Sequence, residues 1–393
     1  MTRNVLIAGT GMIPFVKPGA NESYPIMGSE AARLALADAG VAYDLIEQAY
    51  VGFIYGDSTA GQAALYRIGL TGIPIFNVNN NCSTGSTALF LARQAVAAGQ
   101  AECALALGFE QMAPGALGAV FQDRPTPLDD FLAIANRTFE GAGEVPMAIR
   151  LFAGAGKEYQ DKYGAPTRMF AEVRAKASRH AVHNDKAIFR KPMTADEVLA
   201  SPNLFLNLTR LQACPPTCGA AAAVVCSEEF ARKHGIADPI RIVAQALTTD
   251  RPGSFDGSMI RAVGADMARE AAAKVYQAAG IGPEDVDVVE LHDCFTTNEV
   301  LAYEALGLCP EGGAERFVAD GDNTYGGKVV TNPSGGLLSK GHPIGATGLA
   351  QCHELTTQLR GRAGPRQVDG ARIGLQHNLG LGGACVVTLY QKD

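Results

Sequence analysis

There is no tryptophan in this chain and only 7% of its residues are aromatic, so large flat side chains do not organise the core. Long apolar runs are missing too. The most apolar internal stretch, Gly219 to Cys226, is far too short to cross a bilayer, and no membrane span is expected. Near the N-terminus, Val5-Leu6-Ile7-Ala8 is interrupted by Gly9, Gly11 and Pro14 before a signal-peptide core can form. The last residues, Gln391-Lys392-Asp393, are not a Ser-Lys-Leu-type peroxisomal address. No Cys-x-x-Cys pair occurs, and the nine cysteines are odd in number without a short repeating spacing. That argues against a disulfide framework or a zinc ribbon, so no metal is expected. A net charge of −7 gives nucleic acid and anionic membranes no electrostatic footing. The expectation is a cytoplasmic enzyme acting on a small molecule.

What is present is a core-forming composition. Of 393 residues 47% are hydrophobic and 45 are glycine, which suits several closely packed α/β units. Two internal repeats define them. Ala31 to Gly40 followed by Asp44-Leu45-Ile46-Glu47 matches Ala271 to Gly280 followed by Glu284-Asp285-Val286-Asp287 at a shift of 240. Each copy reads as an Ala-rich helix stopped by glycine, an acidic turn and an apolar strand, Ala49 to Ile54 or Val286 to Leu291. The second repeat pairs Asn79 to Leu89 with Ser339 to Leu349 at a shift of 260, which sets Cys82 on His342, Gly85 on Gly345 and Thr87 on Thr347. One copy offers a thiol and the other an imidazole.

Strands alternating with helices in both halves predict two similar α/β layers sharing a buried interface. Between them, residues 121–204 carry more charge and few strand-like runs. From Arg150 to Lys191 there are ten Lys or Arg against four acids, consistent with a solvated helical insertion or with a cover that receives a polyanion such as a nucleotide diphosphate. Ala220 to Val225 then reads as a strand returning to the first half. The expected organisation is 1–120 with 205–238 as the N-terminal half, 121–204 as the insertion and 239–393 as the C-terminal half.

Four side chains carry candidate chemistry. Cys82 precedes a buried helix beginning around Ser83-Thr84-Gly85, where unpaired N–H groups are expected to lower its pKa and make it nucleophilic. His342, with Pro343 in the first turn, is placed at the start of the matching helix, as a base. His292 and Cys294 sit at the end of an apolar strand, the position where ligand groups collect in α/β proteins. Gly380-Leu381-Gly382-Gly383 after Asn378 permits close backbone approach and free N–H groups for an oxyanion. Cys214 and Cys218 are read as structural. Gly9-Thr10-Gly11 is not a dinucleotide fingerprint, because Pro14 stands at the third glycine position.

Taken together, the motifs around Cys82, His292-Asp293-Cys294-Phe295, Asn332-Pro333-Ser334-Gly335-Gly336, Gly341-His342-Pro343-Ile344-Gly345 and Gln376-His377-Asn378-Leu379-Gly380 resemble a thiolase, and more narrowly the sterol-carrier-protein-type thiolases. The resemblance runs nearly end to end. It implies the thiolase fold, two five-stranded halves in a five-layer α-β-α-β-α sandwich with an inserted loop domain. It also implies acyl-CoA substrates, coenzyme A as co-substrate, no permanently bound cofactor, and a homodimer or homotetramer. By the same resemblance, Cys82 is the acyl-accepting nucleophile activated by His342, and His292 with His342 binds the thioester oxygen. Cys294 is the acid/base, and the backbone N–H groups of Cys82 and Gly380 hold the acyl oxyanion. Ordinary thiolases keep a second catalytic cysteine where this chain has Asn378, which leaves Cys294 to replace it. The implied reaction is coenzyme A-dependent cleavage of a 3-oxoacyl-CoA in lipid or sterol side-chain β-oxidation. The alternatives are a condensing enzyme of the ketoacyl synthase kind and a non-catalytic lipid-binding protein.

Overall fold

Alternation between small and large side chains decides how the strands are layered. The computed structural model describes residues 3–113, 121 and 123–393, so the expected boundary at 120/121 abuts residues outside those described. In chain order the main strands are β1 (Val5–Met12), β2 (Gln48–Gly52), β3 (Ile75–Val78), β4 (Cys103–Glu110), β5 (Gly219–Ser227), β6 (Ile240–Thr248), β7 (Val288–Glu290), β8 (Val330–Thr331), β9 (Ile373–Gly380) and β10 (Ala384–Gln391). Along β4, Leu105, Leu107 and Phe109 face one core while Ala104 and Ala106 face another. The small face lets helices lie close to the sheet, and the large face fills the outer layer.

Four helices complete the layers: α1 (Tyr24–Ala39), α2 (Thr84–Ala97), α3 (Ala265–Ala279) and α4 (Thr347–Leu359). Helices α1 and α3 are the Ala-rich repeat, and each stops at a left-handed glycine, Gly40 at φ 64° and Gly280 at φ 70°. Helix α1 buries Ala31, Ala35 and Leu36 against the outer face of the first half. Helix α3 buries Met267, Ala271 and Val275 against the second. Between the halves, Ala88, Leu89 and Val96 of α2 share one core with Leu349, Ala350 and Leu355 of α4. The order of layers is therefore α-β-α-β-α.

Strand order repeats with the layers. The first half runs β3-β2-β4-β5-β1 and the second β8-β7-β9-β10-β6. In each, the first two pairings are parallel and the last two antiparallel. The halves also meet edge to edge: β1 pairs with β6 through Leu6 opposite Arg241 and Ile7 opposite Ile240, giving one ten-stranded sheet.

The segment between β4 and β5 contains helices Asp129–Thr138, Met147–Tyr163, Thr167–His180 and Ala195–Leu199. It is not a merely solvated cover. Leu151, Phe152, Phe170 and Val173 share a core with Leu291, Phe295 and Leu301 of the second half. Its cations divide accordingly. Arg150, Arg174 and Lys176 are buried, and Lys176 bonds to Glu299, Tyr303 and Thr331. Lys157, Lys162 and Arg168 pair with acids at the surface. Among the described residues, Arg179, Lys186, Arg190 and Lys191 are neither buried nor paired with a carboxylate, so the positive charge left facing outward narrows to those four.

Candidate active site

The two central helices meet tip to tip because their ends have no side chains in the way. A methyl group on Gly85 would stand 2.8 Å from the Gly345 carbonyl, and one on Gly345 would strike the carbonyls of Phe109 and Gly52. Glycine at both equivalent places thus allows backbone-to-backbone contact. The buried Glu110 carboxylate closes the junction by accepting N–H bonds from Tyr55 (2.9 Å), Ile54 and Gly345 (3.0 Å). Burial pushes that carboxyl up to about 7 despite those donors.

Cys82 precedes α2 by two residues. Asn81 before it adopts φ 49°, a left-handed conformation that Asn tolerates better than most residues, and its side-chain N–H donates to the Leu381 carbonyl (2.7 Å). A methyl group at Gly380 would lie 2.8 Å from Ser83 Oγ, so only glycine lets the β9 end pass this loop. The Leu381 N–H reaches the Cys82 sulfur and pulls its pKa down, but burial is the larger effect and pushes the thiol up to about 12. The expectation of a thiol acidified by the helix tip is therefore reversed by burial.

His342 lies five residues before α4, not at its start. Residues 343–346 form a lead-in turn, with the N–H groups of Ala346 and Thr347 both bonded to the Pro343 carbonyl (3.0 Å each). The Thr347 hydroxyl donates to that same carbonyl (2.9 Å), so its oxygen accepts from His342 Nδ1 (2.7 Å). The imidazole proton is thereby on Nδ1, and Nε2 is a buried lone pair with no hydrogen-bond partner. Burial lowers the pKa of this ring to about 3.

His292 and Cys294 follow β7. Their strand neighbour Asp293 points the other way, accepting the N–H groups of Leu337 (2.7 Å) and Leu338 (3.3 Å) at the short helix Gly336–Ser339 that leads to His342. An extended strap, 213–218, ties the two loops together. Ala213 bridges to Phe295, Pro216 to His342, and Thr217 Oγ1 accepts the His342 backbone N–H (2.6 Å). Cys218 is structural, its sulfur bonded to the Met112 backbone. Cys214 lies beside Cys294: its N–H donates to the Cys294 carbonyl (2.9 Å), and the Cys294 thiol is held well above its ordinary pKa by burial first and then by charge on Cys214 or Cys82.

The strand ends and helix tips converge. Ligand atoms of Cys82, His292 and His342 lie within 4.8 Å of one another, and the two imidazoles meet edge to face with ring centroids 5.1 Å apart. Both rings are buried and Cys82 keeps some exposed surface. Such a trio has the donor types of a metal site, and with Nδ1 of each ring hydrogen-bonded it is Nε2 that each would offer to a ligand. Cys82, His292 and His342 are thus brought to one place, with Gly380 against the Cys82 loop and Cys294 near enough for charge on Cys82 to act on it. Sequence reading gave no role to Thr347, Glu110 or Asp293, although Thr347 matched Thr87 in the repeat and Asp293 stood inside a motif; Leu381 lay within the glycine run read as a source of free N–H groups.

Comparison with known proteins agrees with this architecture. Residues 5–229 match the thiolase N-terminal domain family, and residues 257–390 match the family described as thiolase C-terminal domain-like. The chain belongs to the thiolase family. It is 55% identical over 392 residues to sterol carrier protein 2 of Oryctolagus cuniculus, covering 98% of this chain and 72% of that protein. It is 32% identical to an acetyl-CoA acetyltransferase of Methanothermobacter thermautotrophicus, over 99% of this chain and all of the relative. Human mitochondrial 3-ketoacyl-CoA thiolase in complex with CoA shares the fold, with a TM-score of 0.73 at 19% identity over 100% of this chain and 98% of that one. Among the described residues, no helix is long and apolar enough to cross a membrane.

Proposed function

We propose that this thiolase-family chain cleaves 3-oxoacyl-CoA thioesters with coenzyme A, through an acyl group carried on Cys82. The observation that carries the reading is the meeting of the Cys82 thiol with one imidazole that has a free lone pair and another that can donate. As Cys82 Sγ attacks the 3-keto carbon, its proton passes to His342 Nε2. The C2–C3 bond breaks, its electron pair forms the enolate of the departing short acyl-CoA, and Cys294 protonates C2. Coenzyme A then gives its proton to the Cys294 thiolate and attacks the acyl carbonyl. Cys82 leaves and recovers its proton from His342.

The electrostatics suit this order. A thiol held near 12 and an imidazole held near 3 form no ion pair at rest, so the charges arise only as substrate reacts. Once protonated, His342 joins His292 in donating to the enolate oxygen at the moment its charge develops. The N–H groups of Cys82, Gly380 and Leu381 serve the acyl oxyanion. Cys294, with its raised pKa, stays protonated until the enolate needs it and is strongly basic afterwards.

Acyl-CoA substrates of lipid or sterol side-chain breakdown are the proposed class, with Arg179, Lys186, Arg190 and Lys191 as the cations offered to the nucleotide phosphates. Residues 188 and 189 support this, because their N–H groups bond to the carbonyls of Lys340 and Ser339, just before His342. The proposed assembly is a homodimer, supported by the outer strand β3 with its exposed Phe76. The deciding assay supplies a 3-oxoacyl-CoA and coenzyme A and follows both shortened products. Malonyl-CoA-dependent condensation without cleavage would replace this reading with the condensing enzyme. Ligand binding without turnover, unchanged in Cys82→Ala, would replace it with the lipid-binding protein.

A further inference from the structure

Asn378 occupies the place where ordinary thiolases keep a catalytic thiol, and its surroundings give it a different task. We infer that Asn378 is a positioning residue that fixes His292 in the tautomer carrying its proton on Nε2, so that this imidazole faces the substrate as a permanent donor. The inference rests on the reading of His292 as a partner of the thioester oxygen.

The hydrogen bonds allow one arrangement. The terminal nitrogen of Asn378 is 3.0 Å from the Cys82 carbonyl oxygen and 3.1 Å from His292 Nδ1. A carbonyl oxygen only accepts, so the amide must present N–H there, and its second hydrogen then falls to His292 Nδ1. Turning the amide over would set its oxygen against the Cys82 carbonyl, two acceptors in contact inside the core. A chain of donors enforces the same choice from behind. Tyr390 donates to Gln376 Oε1, Gln376 Nε2 donates to Ser86 Oγ (2.8 Å), and Ser86 donates to Asn378 Oδ1 (2.8 Å). All of these side chains are buried, so solvent cannot substitute for a missing partner. With Nδ1 accepting, the neutral ring of His292 carries its proton on Nε2.

His342 is the opposite case. Thr347 accepts from its Nδ1 and leaves Nε2 as a lone pair. The two rings that meet edge to face are thus held in opposite polarity, one by a threonine and one by an asparagine.

The test uses the full chain labelled with ¹⁵N-histidine, the seven resonance pairs being assigned by subtracting the His292→Gln spectrum. We expect a protonated Nε2 and an unprotonated Nδ1 for His292 at neutral pH. The reverse pattern, or an average of both tautomers, overturns the inference. Asn378→Ala is expected to average the His292 tautomers and to lower kcat for thiolytic cleavage about 10- to 100-fold with KM little changed, a fraction of what loss of an oxyanion donor costs. Ser86→Ala, which frees the amide to turn, is expected to do the same more weakly. An unchanged kcat in Asn378→Ala, or a loss of kcat with His292 still in its wild-type tautomer, also overturns it. The spectrum needs no turnover. A chain without cleavage activity but with protonated Nε2 refutes the proposed reaction alone, whereas an active chain with the reversed tautomer refutes only the role of Asn378.

Discussion

The two helix tips, residues 80–89 and 340–349, are one device put to two uses. At each, a threonine hydroxyl donates to the carbonyl four residues earlier, Thr87 to Ser83 (3.0 Å) and Thr347 to Pro343 (2.9 Å). The remaining lone pair serves an upstream side chain, Asn80 Nδ2 (3.1 Å) in the first copy and His342 Nδ1 (2.7 Å) in the second. In the first copy the bond ties Asn80 to the helix and leaves the Cys82 side chain outside it. In the second it holds the His342 ring itself. The duplicated scaffold thus differs in which side chain a threonine holds, while glycine contacts keep the tips together.

Breaking each member in turn should separate these uses. Cys82→Ala is expected to cost the most, about 10⁴-fold or more in kcat, because no acyl group can be carried. His342→Ala should lose about 10²- to 10⁴-fold, the range for a general base, and His292→Ala about 10²- to 10³-fold, that of one oxyanion donor; both are read from steady-state cleavage. The threonines sharpen the contrast further. Thr347→Val should lower kcat about tenfold by freeing the His342 ring, whereas Thr87→Val should leave kcat near wild type and cost about 1 kcal/mol in denaturant unfolding. Equal kinetic losses for both would mean the tips are not differently employed.

A pH profile tests the resting state of the pair. With Cys82 pushed up to about 12, its thiolate fraction rises about tenfold per pH unit, so iodoacetamide modification of the free enzyme should climb steadily from pH 6 to 9. A plateau below pH 8 would indicate an ion pair formed before substrate arrives.

Much of this architecture was legible in the chain. The glycines ending α1 and α3, the Ala-rich faces and the 260-residue repeat announced two α/β halves and the convergence of positions 82 and 342. Other features depend on contacts no single segment encodes. A helix tip contributes at most about 2 kcal/mol to a thiolate, while burial can move a thiol by roughly 3 to 5 pH units, so the acidity expected for Cys82 lost to desolvation. The positive excess of the insertion was visible, but not that Arg150, Arg174 and Lys176 turn inward. Gln376 and Asn378 entered the sequence reading only as part of the motif that carries the family resemblance. Their link through Ser86 to His292 needed the fold, because it joins residues 86, 292 and 378 across two layers.

The most direct test is to mix the protein with a 3-oxoacyl-CoA in the absence of coenzyme A, then digest it and locate the added mass. We expect the shortened acyl group on Cys82, released on adding coenzyme A, with one equivalent of short-chain acyl-CoA freed as the adduct forms. An adduct on Cys214 or Cys294 with Cys82 unmodified, or no adduct under conditions where the substrate is cleaved, would contradict the central claim that Cys82 carries the acyl group.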